Sequence, residues 1–146
     1  MDRKNLLKLW DESWKDGIWF ASWSKAMDGL TAGQAGWKPQ PESHSICQLV
    51  NHVNFWREYT LDTLAGKPKP SDEEMARRNF AAPAPLTEAA WNETRATLGE
   101  THRRMRDAIA DEKNSLDRLM YHLAHDANHL GQILYLRRLQ GMKPLE

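Results

Sequence analysis

The stretch Tyr121 to Gly141, YHLAHDANHLGQILYLRRLQG, sets three histidines within eight residues of a run of helical period that closes on a glycine. An α-helix turns about 100° per residue, so His125 and His129 point within roughly 40° of each other, one turn apart on one face. Two imidazoles so placed can chelate one ion. Neutral imidazole suits zinc, nickel, copper or iron, and two ligands on one rigid helix have little freedom left to lose. The competing reading is a pair of packed, hydrogen-bonded core histidines. His122 shares nearly the same face but lies about 10 Å along the axis from His129, too far to chelate beside both. It is read as a donor that orients a ligand, as a pocket acid or base, or as a core histidine. Asp126 follows His125 directly. In the metalloprotease string H-E-x-x-H a glutamate there is the general base, whereas this chain has H-D-A-N-H, one methylene shorter. That difference argues against a protease and leaves His122 and Asp126 as the catalytic candidates. Gln132, three residues after His129, could bridge helices or orient a ligand histidine.

Metal sites normally take at least three ligands from the protein, so the pair needs a partner elsewhere. His52 is the best placed: it lies in QLVNHVNFW, a second helical segment, flanked by Leu49, Val53, Phe55 and Trp56 on or beside the core-facing stripe. A His₃ set leaves a position for water or substrate, as catalytic metal sites do.

His52 in one helix, followed much later by His125-x-x-x-His129-x-Gly131-Gln132-Ile133, resembles the DinB/YfiT-like superfamily of metalloenzymes. The resemblance extends to an amphipathic first helix, to Trp37-x-Pro39 before the second, and to Leu139, Gly141 and Pro144 at the end. It implies an all-α four-helix bundle with a long crossover between helices 2 and 3, often a homodimer. It also implies a divalent metal on His52, His125 and His129: zinc or nickel, with iron or manganese as alternatives. Characterised relatives include thiol S-transferases that use bacillithiol and isomerases that depend on mycothiol.

With 146 residues the chain is expected to form one domain, 1–146, with a core that needs no disulfides. Its 20 basic and 20 acidic side chains cancel, which disfavours nucleic acid and anionic membranes as partners. The single cysteine, Cys47, fits a reducing compartment, and the charged opening MDRKNLLKLWDESWK, without a continuous apolar run, is expected to be neither a signal peptide nor a spanning segment. A cytoplasmic location is the expectation.

Apolar positions from Asp2 to Leu30 follow a helical period and predict one long helix, kinked at Gly17. Four of the seven tryptophans fall there, as the pairs Trp10/Trp14 and Trp19/Trp23, and are expected to pack the core, with a pocket wall as the minority reading. Thr31 to His44 is a connection. Ser45 with Gln48 forms a capping box for a helix running to Ala65 and stopped by Gly66. Trp56, one turn beyond His52, could wall a pocket, and Cys47, rotated roughly 140° from His52, is a core residue. Residues 66–85 carry four prolines around SDEEMARR, a short helix capped by Ser71; the stretch reads as a crossover or a lid, with a solvated linker as the alternative, and the resemblance implies the crossover. Thr87 caps a third helix to Ala110 with Trp91, Thr94, Leu98, Thr101, Met105 and Ile109 inward. Its charged face reads as ion-paired surface, and His102 beside those charges receives no role. The fourth helix starts near Asn114 or Ser115.

A His₃ metal could lower the pKa of a bound water and run hydrolysis, or hold a low-molecular-weight thiol as thiolate for attack on an electrophile. The resemblance favours the thiol S-transferase. No basic clamp for a carboxylate-bearing small molecule stands out beyond scattered arginines such as Arg57. The non-enzymatic alternative is a stress-related binding protein with a structural or vestigial metal, against which stands a count of three ligands where structural zinc usually has four.

Overall fold

Each helix starts where the sequence supplies a side-chain acceptor for the free backbone N–H groups of a first turn. Asp2, Ser22, Thr31, Ser45, Ser71, Thr87 and Ser115 each accept a hydrogen bond from a backbone N–H two or three residues on. The computed structural model describes residues 1–145 and is all-α: α1 (Arg3–Lys15), α2 (Trp23–Met27), α3 (Ala32–Gly36), α4 (Ile46–Leu64), α5 (Asp72–Arg78), α6 (Glu88–Ala110) and α7 (Leu116–Leu139), with no strand among the described residues. The capping box of Ser45 and Gln48 is formed in both directions. Among the described residues no helix is long and apolar enough to cross a membrane.

The expected single helix over residues 2–30 is corrected. Gly17 ends α1 instead of kinking it: its φ is +91°, and a Cβ at this position would lie 2.2 Å from the Phe20 carbonyl oxygen. Only glycine fits. The chain then turns through Trp19 at φ +57° and restarts at Ser22. The second tryptophan pair is split in consequence, with Trp23 buried and Trp19 fully exposed.

The long helix α4 packs against α6 and α7, and α1 packs chiefly against α6 and α2. Two apolar clusters result. The larger joins Trp23, Ile46, Cys47, Val50, Val53, Trp91, Leu98, Leu130 and Ile133; the smaller joins Leu6, Trp10, Met105, Ile109 and Leu119. Each fully buried large side chain contributes about 1.5–3 kcal/mol. Two of the buried indoles also satisfy their N–H groups, Trp10 on the His102 carbonyl at 3.0 Å and Trp91 on the Leu30 carbonyl at 2.8 Å. Cys47 lies in the core as expected, and burial raises its thiol pKa.

His102 belongs to the interior and not to the charged surface of α6. Its ring stacks between Trp10 (centroids 4.8 Å apart, planes 9° apart) and Trp14 (4.7 Å). Burial first, and the Arg57 charge second, push its pKa down to about 3.

The connection from α4 to α6 is pinned along α4. Asn51 Nδ2 donates to the Ala81 carbonyl at 2.7 Å, Arg78 pairs with Glu58 at 3.0 Å, and Phe80 packs on the larger apolar cluster. The proline-rich segment thereby acquires a defined path past one face of α4.

Candidate metal centre

Helix α4 carries His52 to the same place to which α7 carries His125 and His129, and one ring nitrogen from each lies within 4.8 Å of the others. His52 Nε2 is 3.1 Å from His125 Nε2. The Nδ1 atoms face away from this point, each toward an oxygen: His52 to Asn79 Oδ1 at 2.5 Å, His125 to Asp126 Oδ1 at 3.0 Å, and His129 to Gln132 Oε1 at 2.7 Å. An oxygen acceptor at Nδ1 places the proton there and leaves a lone pair at Nε2.

Three lone pairs then converge with no hydrogen to share between them. Two Nε2 atoms 3.1 Å apart repel in that tautomer, and a cation between them turns the repulsion into coordination. Oxygen partners that orient each imidazole are the usual outer shell of a metal site. The donor set therefore fits a divalent ion. Burial lowers the pKa of His52 to about 4, against the Asn79 hydrogen bond and with help from the neighbouring His129, His125 and His44. Burial lowers that of His129 as well, with the Gln132 hydrogen bond opposing. Both rings are held neutral near pH 7, the state a metal requires.

The oxygen partners are themselves fixed. Asp126 is buried with Arg57, whose Nε donates to Asp126 Oδ2 at 2.8 Å. Burial alone would raise the Asp126 carboxyl; the Arg57 charge, aided by the His122 and His125 rings, outweighs it and holds the carboxyl well below the usual carboxylate range. Arg57 Nη1 reaches the Leu98 carbonyl at 3.2 Å and Thr101 Oγ1 at 3.3 Å. Its guanidinium lies over Trp10 (5.1 Å) and Trp23 (5.7 Å), one ring from each apolar cluster. Arg57 is thus no clamp for a small molecule, and Asp126 has Oδ1 on His125 and Oδ2 on Arg57 and does not line the open cavity.

His122 does reach the cavity. Its Nε2 pairs with Thr60 Oγ1 at 2.8 Å, while Nδ1 is buried without a hydrogen-bond partner, 3.9 Å from Asp126 Oδ1. His122, His125 and Asp126 form a second convergent set, but the Arg57 guanidinium already neutralises Asp126 and would oppose a cation there.

Gln132 takes the orienting place that its spacing allowed. Asn79, Phe80 and His44 were not singled out from the sequence. Asn79 is the C-cap of α5, and Phe80, at φ +56°, stacks on His52 (3.9 Å, 12°) and on His44 (3.9 Å, 2°), so three rings lie in layers behind the centre. A cap residue beside an aromatic carries no local signature of a ligand-orienting role.

A cavity of about 520 Å³ opens from the three histidines and is lined further by Trp56, Tyr59, Thr60, Arg118, Tyr121 and His122. Trp56 supplies the wall that its position suggested. Trp10 and Trp23 are buried in the core and Trp14 covers His102, so the expected tryptophan lining reduces to Trp56.

The sequence profile of the DinB superfamily matches residues 20–135, a span that includes all three convergent histidines. Among curated proteins and among solved structures no match was found. Since the profile runs from the turn before α2 through most of α7, this chain belongs to the DinB superfamily.

Proposed function

We propose that the protein is a metal-dependent enzyme of thiol S-transferase type, with His52, His125 and His129 as the ligands of a divalent ion. The observation that carries this reading is the convergence of three imidazoles whose Nδ1 atoms are all tied to oxygens. A divalent cation there supplies Lewis acidity, lowering the pKa of a thiol or water that reaches it. In the transfer, sulfur forms the new bond to an electrophilic carbon, the leaving group departs with its electron pair, and the thiol proton goes to solvent. The chain's part is to place and to shield. Trp56, Tyr59 and Tyr121 give the cavity an aromatic lining, which favours an organic thiol over water as the nucleophile. Asp126, held by Arg57, keeps His125 in one tautomer, and Thr60 fixes the ring of His122 at the cavity wall.

The four long helices are read as a four-helix bundle in one domain, with residues 66–85 as the crossover. Tyr121, Tyr135 and Leu139, exposed along α7, support a homodimer, and the lone buried Cys47 supports a cytoplasmic setting. The test is metal content after purification without a tag or added metal, on wild type and His125→Ala in parallel. A screen of low-molecular-weight thiols against chlorodinitrobenzene follows. About one equivalent of metal in the wild type alone, with thiol-dependent turnover, is expected. Metal in neither protein would overturn the reading.

A further inference from the structure

Arg118 is the only permanently charged side chain lining the cavity, and nothing among the described residues neutralises it. Its neighbours at three and four residues along the helix are Asn114, Ser115, Tyr121 and His122, none of them acidic. The adjacent Asp117 is engaged with its own cap, accepting from Ser115 Oγ at 2.9 Å. An exposed arginine on a helix as charged as this one usually finds a carboxylate, as Arg103 and Arg106 do.

The register of the two walls places this cation opposite the histidine centre. His52 meets His125, and one to two turns away Thr60 meets His122. Arg118 lies a further turn out, seven residues before His125 and hence on the same face of α7, about 10 Å along the axis. Between the two ends the walls are Trp56, Tyr59 and Tyr121. The cavity therefore has a donor cluster at one end, aromatic walls in the middle and one unpaired guanidinium at the other.

We infer that the cavity selects a monoanion with an aromatic or flat apolar body, its carboxylate on the Arg118 fork and its opposite end at the imidazole centre. A guanidinium binds a carboxylate through two parallel hydrogen bonds, which fix the orientation of the acid as well as its position. One cation matches one negative charge; a dianion would bring an unpaired charge into an aromatic site. The inference rests on the proposed function only in taking the imidazole centre as the reacting end.

The probe is 4-phenylbutanoate, whose length is about that of the two helical turns to be spanned, compared with the neutral 4-phenylbutanamide. Binding is measured by calorimetry with the protein as purified and again after chelator treatment. The acid is expected to bind about 3-fold tighter than the amide, the margin of an exposed ion pair. That preference is expected to shrink as salt rises. Arg118→Gln should abolish it, Arg118→Lys should keep part of it, and Trp56→Leu should weaken both probes equally. Arg118→Gln should leave circular dichroism and metal content unchanged, since the residue is exposed and about two turns from the nearest proposed ligand on its helix. Equal binding of acid and amide, a preference that survives Arg118→Gln, or binding of neither probe at millimolar concentration overturns the inference. Because the chelated protein is tested too, loss of the metal reading and loss of this one are separate results.

Discussion

At the scale of single residues, the centre is defined as much by what holds the histidines as by the histidines. Asn79 and Gln132 contact only Nδ1 atoms, so each should act on metal affinity without forming part of the coordination. Asn79→Ala and Gln132→Ala are each expected to weaken metal binding about 10- to 100-fold, read by competition with a chromophoric chelator. Unchanged affinity in both would remove their orienting role. Arg57 has a larger effect of a different kind. Arg57→Met leaves the Asp126 charge buried and unpaired, which should cost about 3–5 kcal/mol in denaturant unfolding. The double variant Arg57→Met with Asp126→Leu should regain much of that stability, yet still bind metal weakly because His125 has lost its acceptor. If the double variant binds metal like the wild type, the Asp126 contact does not orient His125.

Among the elements, two short segments with left-handed backbone decide what reaches the site. Gly17 stops α1, so that α2 can bring Trp23 over Arg57. Gly17→Ala combines a strained φ with a Cβ 2.2 Å from a carbonyl oxygen, and a loss of about 1–3 kcal/mol is expected in urea unfolding. The second segment is Asn79–Phe80 at the end of α5, where Phe80 turns at φ +56° and lays its ring between His44 and His52. Proline spacing and the Ser71 cap made α5 legible. The turn after it was not, because a positive φ at phenylalanine has no sequence marker and is stabilised only by the rings it meets.

For the whole molecule, stability should depend on pH through His102. Its pKa is about 3 in the fold and near the ordinary 6.5 in the unfolded chain. Between those values the unfolded state binds more protons, so its contribution is complete above pH 6.5 and is lost as pH falls toward 3. Midpoint temperatures should fall over that range, and less steeply in His102→Phe, which keeps the ring stack and removes the titration. Equal slopes in both proteins would exclude His102 as the source. Chelation should also lower the melting temperature, by the mass action of a bound ion, while the far-ultraviolet helical signal persists. The two apolar clusters contain none of the three proposed ligands, so helix loss on chelation would instead mark a structural ion. The helix starts at Ser45, Ser71, Thr87 and Ser115, the stops at Gly66 and Gly141, and the shared face of His125 and His129 were determined by the sequence alone, because caps and helical spacing act within a turn or two; the starts at Ser22 and Thr31 were not, since they fell inside an expected long helix and an expected connection. Tertiary structure alone decided the partners: Arg57 with Asp126, 69 positions apart, His52 with Asn79, 27 apart, and the Trp10 indole on the His102 backbone, 92 apart. Contacts at such separations depend on how α1, α4, α6 and α7 pack and on the path of the chain between them. The charged neighbours beside which His102 received no role therefore flank a ring that packing places between two indoles.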